Sequence, residues 1–143
     1  MDTIVVKRAS LKEVDYVNDL FDQYRISGRR CTTTLPGRDD LEEMLEGQGY
    51  IVLVAVKPYR GVLHYLGYAQ LSPVVSGDGE KDWGLGELFV LPEAQQNGVE
   101  KALLTAVMNY TKRKDALELL SEAASHSDTI KELYESMEYA GNA

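Results

Sequence analysis

The chain has 143 residues, 44% hydrophobic and 27% charged, proportions that fit one packed globular domain and exclude a disordered or fibrous chain. Its net charge of -8 opposes attraction to nucleic acid or to an anionic membrane surface. Cys31 is the sole cysteine and the two histidines, His64 and His126, are scattered, so neither an intrachain disulfide nor a metal cluster is expected.

Ile4, Val5 and Val6 suggest a first strand. The N-terminus lacks the charged and long apolar regions of a secretory signal. The longest mainly apolar run, Tyr50 to Val56, is far below the roughly 20 residues that span a bilayer. A cytoplasmic location is the resulting expectation. Ser10 and Glu13 have capping-box spacing, and Val14, Val17, Leu20, Phe21 and Tyr24 then recur at helical intervals, which predicts a helix over 11–24. A shorter helix is expected from Asp39, capped by Glu42.

Tyr50 to Lys57 and Leu63 to Val74 read as paired strands, with Pro58 and Gly61 marking the turn between them. Trp83 to Leu91 reads as a further strand, halted at Pro92. From Gly98 onward, Val99, Ala102, Leu103, Ala106, Val107 and Tyr110 define an amphipathic helix. Ala116 to Leu120 is expected as the next strand, and Ile130, Leu133, Tyr134 and Met137 as the core stripe of a last helix. The order β, α, α, β, β, β, α, β, α predicts an α/β domain, 1–143, with a mixed sheet between helices and a right-handed β-α-β crossover through the helix at Gly98.

A strand that feeds a glycine at a helix N-terminus suits an anion, because the first-turn N–H groups have no intrahelical partners and carry partial positive charge. Here the strand is Leu88-Phe89-Val90, followed by Pro92-Glu93-Ala94-Gln95-Gln96-Asn97-Gly98-Val99-Glu100-Lys101-Ala102-Leu103-Leu104. This stretch resembles the cofactor motif of the GNAT superfamily of acetyl-CoA-dependent N-acyltransferases, Q/R-x-x-G-x-G/A, with Gln95 in the place of the usual arginine. Leu133-Tyr134-Glu135-Ser136-Met137-Glu138-Tyr139 resembles the family's L-Y-E-S-L-G-Y segment, and Phe21-Asp22-Gln23-Tyr24-Arg25 is similar to a first-helix motif of one subgroup.

The resemblance implies acetyl-CoA as co-substrate, held by Leu88, Phe89, Val90, Gln95, Gln96, Asn97, Gly98, Val99, Glu100, Lys101 and Ser127. It implies direct attack of an amine, from a small molecule or a protein, on the thioester. Tyr134 is the implied acid, a backbone N–H near Val90 the oxyanion donor, and Glu87 the candidate base, directly or through water. Each role has a plainer counterpart: Tyr134 also completes the apolar stripe with Ile130 and Met137, and Glu87 reads equally as a solvated strand residue.

The chain departs from the pattern at four places. Glu100 replaces the second motif glycine; beside a pyrophosphate it repels, in the first turn it stabilises the helix dipole, and turned outward it does little, with Lys101 partly compensating. Ser127 stands where the family carries asparagine, and doubles as an N-cap candidate. Glu138 replaces another habitual glycine, and the two C-terminal strands are absent or reduced to the residues after Glu138. The expected strand at 116–120 would then be an open edge, from which a homodimer is anticipated. These departures support an alternative reading, a catalytically inactive acyl-CoA sensor or protein-interaction module. Arg25, Arg29, Arg30 and Arg38 crowd one connecting segment, which implies either a solvated loop or an anionic acceptor.

Overall fold

The computed structural model describes residues 3–31, 35–75, 77–95 and 97–141. Strand β1 (Val5–Arg8) leads through a 3-10 turn (Leu11–Glu13) into α1 (Val14–Ile26) and then α2 (Arg38–Glu46). Strands β2 (Ile51–Tyr59), β3 (Val62–Val75) and β4 (Lys81–Val90) follow, and then α3 (Val99–Met108), α4 (Ala116–Ala123) and α5 (Asp128–Gly141). The sheet has the order β1-β2-β3-β4 and every pair is antiparallel.

Both faces of the sheet are covered. Val52, Val54, Val56, Tyr68 and Phe89 pack beneath α1 and α2 with Val17, Leu20, Phe21, Tyr24, Leu41 and Leu45. On the other face Leu53, Ala55, Ala69, Leu71, Leu85, Leu88 and Val90 meet Val99, Leu103 and Val107 of α3, Leu119 and Leu120 of α4, and Ile130 of α5. This two-sided burial explains the nearly continuous apolar run of β2, since neither face is left to water. The β2–β3 turn is made by Arg60 (φ 52°) and Gly61 (φ 77°), two positive-φ residues that suit a tight hairpin. At the start of α1, Ser10 N–H donates to Glu13 Oε1 at 3.1 Å, as the capping-box spacing predicts.

The expected strand over 116–120 is a helix, so the sheet is not mixed and the β-α-β crossover is not formed. Its composition accounts for the difference: Ala116-Leu117-Glu118-Leu119-Leu120 contains no β-branched residue, and Ala, Leu and Glu are strong helix formers. Asp115 caps it by accepting from Glu118 N–H at 2.8 Å, and Leu119, Leu120 and Ala123 turn inward. The homodimer expectation thereby loses its open strand at 116–120. Residual C-terminal strands are also replaced, because α5 continues to Gly141. The second helix starts at Arg38 after Gly37, with Glu42 pairing to Arg38 at 2.6 Å rather than capping Asp39.

Candidate active site

Strand β4 is an edge strand, and its geometry organises the site. Its register against β3 shifts after Gln70↔Glu87 to Leu71↔Leu85, which leaves Gly86 as an extra residue, a β-bulge. Leu91 N–H bonds Leu66 C=O at 2.9 Å, so by the antiparallel alternation Phe89 and Glu87 direct their backbone groups to β3. Leu88 and Val90 direct theirs to the outer edge. The side chains alternate in the same way: Leu88 and Val90 fill the core under α3, whereas Phe89 packs edge-on against Tyr24 at 5.4 Å.

Two of the outward backbone groups are held by side chains. Leu88 N–H donates to Glu87 Oε1 at 2.8 Å, and Gln95 Nε2 donates to Val90 C=O at 3.3 Å. Gln95 therefore ties the loop back to the end of β4. Gln96 lies outside the described residues, and Asn97 is exposed.

Gly98 has φ 87°, a left-handed conformation that admits glycine without penalty and turns the chain into α3. Its carbonyl accepts Ala102 N–H at 3.0 Å, while the N–H groups of Val99, Glu100 and Lys101 have no hydrogen-bond partner among the described residues. Val99 is fully buried and anchors the turn. Glu100 is half-buried, with Oε1 shielded from solvent and unpartnered. Lys101 is exposed, and among the described residues no ion pair joins it to Glu100.

Glu87 is fully buried, which removes the solvated reading of this residue. Its Oε1 accepts from Ser127 Oγ at 2.8 Å as well as from Leu88 N–H, and its Oε2 has no partner. Ser127 also accepts from Ile130 N–H at 3.2 Å, capping α5 as its position predicts. It thus holds Glu87 and α5 together. Cys31 pairs with Ser127 in an isolated antiparallel bridge, and its thiol approaches Gly86 C=O at 3.8 Å.

Tyr134 is half-buried on α5, packed with Leu133 and Met137 against the core under α3. A hydrogen bond to Glu138, and the charge of that carboxylate, raise its pKa above the ordinary tyrosine value. The arginines of the α1–α2 connection are largely committed to structure: Arg25 binds Asp22 and Pro36 C=O, Arg29 pairs with Glu132, and Arg38 binds Asp15 and Glu42. Arg30 takes Asp128 Oδ2 on its backbone N–H at 3.0 Å, fastening this connection to α5. Among the described residues no cluster of His, Cys, Asp or Glu could hold a metal, and no helix is long and apolar enough to cross a membrane.

Sequence reasoning did not pick out the neighbours of Glu87. Gln70 is its cross-strand partner, and Tyr68 is two residues away on the same face. A glutamine within Tyr68-Ala69-Gln70-Leu71 was the available signal, a polar residue in an otherwise buried strand.

Comparisons with known proteins agree with this architecture. The sequence profile described as "Acetyltransferase (GNAT) family" matches residues 16–139. The uncharacterized N-acetyltransferase YhfO of Bacillus subtilis (strain 168) is 27% identical over 135 residues, covering 94% of this chain and 88% of that protein. Among solved structures, the aminoglycoside N-acetyltransferase AAC(6')-Iy in complex with CoA aligns with TM-score 0.57 at 24% identity, over 76% of this chain and 69% of its own. The ribosomal-protein-alanine N-acetyltransferase of Brucella melitensis biovar Abortus 2308 aligns with TM-score 0.57 at 16% identity, over 75% and 70%. The chain belongs to the GNAT family of acetyltransferases.

Proposed function

We propose that the protein moves an acetyl group from acetyl-CoA to a primary amine of a small molecule or protein by direct attack on the thioester. The observation that carries this reading is the set of unpartnered amides of Val99, Glu100 and Lys101, opening beside a strand edge on which Leu88 C=O and Val90 N–H face outward. Such amides suit the diphosphate of coenzyme A, and the edge suits a strand-like pantetheine arm. CoA bound to the fold neighbour AAC(6')-Iy supports the same co-substrate.

In this scheme the amine attacks the thioester carbonyl carbon, the carbonyl oxygen gains negative charge, and the carbon–sulfur bond then breaks. Val90 N–H, which faces outward, is the oxyanion donor. Glu87 is the base that takes the proton of the attacking amine. When it does so, the carboxyl group loses its charge and its hold on Leu88 N–H weakens, which frees a second donor as charge builds on the oxygen. Tyr134 supplies a proton to the departing thiolate; its raised pKa keeps the phenol protonated at neutral pH.

One observation favours a second reading, a module that does not catalyse: the shielded Oε1 of Glu100 at the same end of α3, where it repels a diphosphate. A thermal-shift titration with acetyl-CoA, followed by thiol release across a panel of amines, separates the two. Stabilisation with thiol release is expected. Stabilisation without release supports a sensor, and no stabilisation at millimolar acetyl-CoA overturns the transferase reading.

A further inference from the structure

Apolar side chains left open together at the end of a sheet mark a binding surface, and the charges around them indicate what it takes. A groove of about 670 Å³ lies where β3 ends and β4 begins, whereas the Gly98 turn follows the other end of β4. That volume is within the range of small-molecule sites, roughly 300–1,000 Å³. Pairing of Pro73 with Trp83 and of Val75 with Lys81 sets these four residues on the face where Leu71 and Leu85 meet α3. Tyr110, just past the end of α3, forms another wall. The length of α3, about 15 Å, therefore separates the groove from the amides of Val99, Glu100 and Lys101.

The walls are aromatic and aliphatic. Trp83 and Tyr110 are half-buried beside Pro73 and Val74, and Val75 is 71% exposed. Two ring systems offer stacked or edge-on contact to a third. The polar groups that remain are chiefly donors: the Trp83 indole N–H, the Tyr110 hydroxyl and the Lys81 ammonium make no hydrogen bond or ion pair among the described residues. Asp82, the carboxylate of the lining, is already engaged. Its Oδ1 accepts from Trp83 N–H at 2.7 Å and from Lys112 N–H at 2.9 Å, and its Oδ2 pairs with Arg113 at 2.7 Å. Lys112 Nζ is held by Glu80 at 2.8 Å. Lys81 is thus the charge of the lining without a counterpart among the described residues, in a chain whose net charge is -8. A neutral ring leaves that ammonium unanswered, and a small aliphatic anion leaves the rings uncovered. An aromatic monoanion meets both.

We propose that this groove is a binding site for a small aromatic carboxylate, its ring against Trp83 and Tyr110 and its carboxylate on Lys81. The site does not depend on the transferase reading. Its ligand braces the β3–β4 pair, the segment before β2 through Gln48, and the residue that follows α3.

Trp83 is the sole tryptophan of the chain, so its emission reports on the groove directly. The test is a fluorescence titration of the whole chain with sodium phenylacetate, phenylacetamide and sodium acetate at equal ionic strength. Phenylacetate is expected to change the emission saturably and acetate not at all. Phenylacetamide is expected to bind roughly fivefold more weakly, the worth of one partly exposed ion pair. Lys81→Gln removes that preference and leaves phenylacetamide binding as it was. Val75→Asp, which sets a carboxylate opposite Lys81, weakens phenylacetate more than phenylacetamide. Both positions are exposed, so both variants keep the fold. Equal responses to the three compounds overturn the site, as does a preference for phenylacetate that survives in Lys81→Gln. One-for-one displacement of phenylacetate by acetyl-CoA overturns it too, since that places the ligand at the other end of α3. A dimer in light scattering that Val75→Asp dissociates gives the groove to a second copy of the chain and likewise overturns the proposal.

Discussion

Glu100→Gln isolates the effect of one carboxylate on cofactor affinity, since the amide matches the carboxylate in shape and keeps the helix-forming stem. Glu100 sits in the first turn of α3, Oε1 is shielded from solvent, and Lys101 does not pair with it, so its charge is poorly screened. With an effective dielectric near 20, repulsion of one phosphate charge is about 4 kcal/mol at 4 Å and about 2 kcal/mol at 8 Å. Removing it tightens acetyl-CoA binding by roughly 30-fold to 1,000-fold. The same change weakens the favourable contact of the carboxylate with the helix dipole, costing about 0.3–1 kcal/mol of stability. Isothermal titration calorimetry and urea denaturation measure the two effects, which are expected to have opposite signs. A dissociation constant within twofold of the parent refutes the electrostatic reasoning and places Glu100 away from the diphosphate.

Tyr134→Phe keeps the packing against Leu133 and Met137 and lowers kcat by roughly 100-fold or more, with the KM for acetyl-CoA unchanged, if the phenol is the acid. An unchanged kcat assigns the residue to the core alone. In Gly98→Ala the new Cβ meets nothing within 4 Å, so the cost is backbone strain at φ 87°, about 1–2 kcal/mol, read as a lower urea midpoint together with weaker acetyl-CoA binding. For Glu13, burial raises the pKa, but hydrogen bonds from Tyr65, Lys7 and Ser10 N–H outweigh it and hold the carboxyl below its usual 4.5. A depressed folded-state value stabilises the fold above pH 4.5, and that stability is lost as the pH falls through the lowered value. Glu13→Gln is expected to flatten this acid-side dependence in denaturation curves; an undiminished slope places its origin elsewhere.

The hairpin, α3 and the Gly98 turn were legible because their patterns are local: a β-branched run from Ile51 to Val56, one clean apolar stripe, and one glycine between strand and helix. The segment at 116–120 was misread because a short, mainly apolar run fits strand and helix alike, and Asp115 with the Ala/Leu/Glu composition specifies a helix. Cap chemistry and helix propensity decided the element there. Glu87 looked equally at home in water because polar residues on a strand usually mark its solvated face, yet this sheet has no solvated face over its centre. The Tyr24, Tyr68 and Gln70 surroundings of Glu87 depend on strand register and on the packing of α1, which no short-range pattern encodes. The arginines between α1 and α2 were visible as a cluster, but their acidic partners, Asp15 and Glu132 among them, lie far away in sequence.

Whether a diphosphate rests on the opening of α3 beside β4 is decided most directly by backbone amide NMR during titration with acetyl-CoA. The largest shifts are expected at Val99, Glu100 and Lys101, with Leu88 and Val90 following as the pantetheine arm meets the strand edge. Saturating acetyl-CoA that leaves those five amides unmoved contradicts the site.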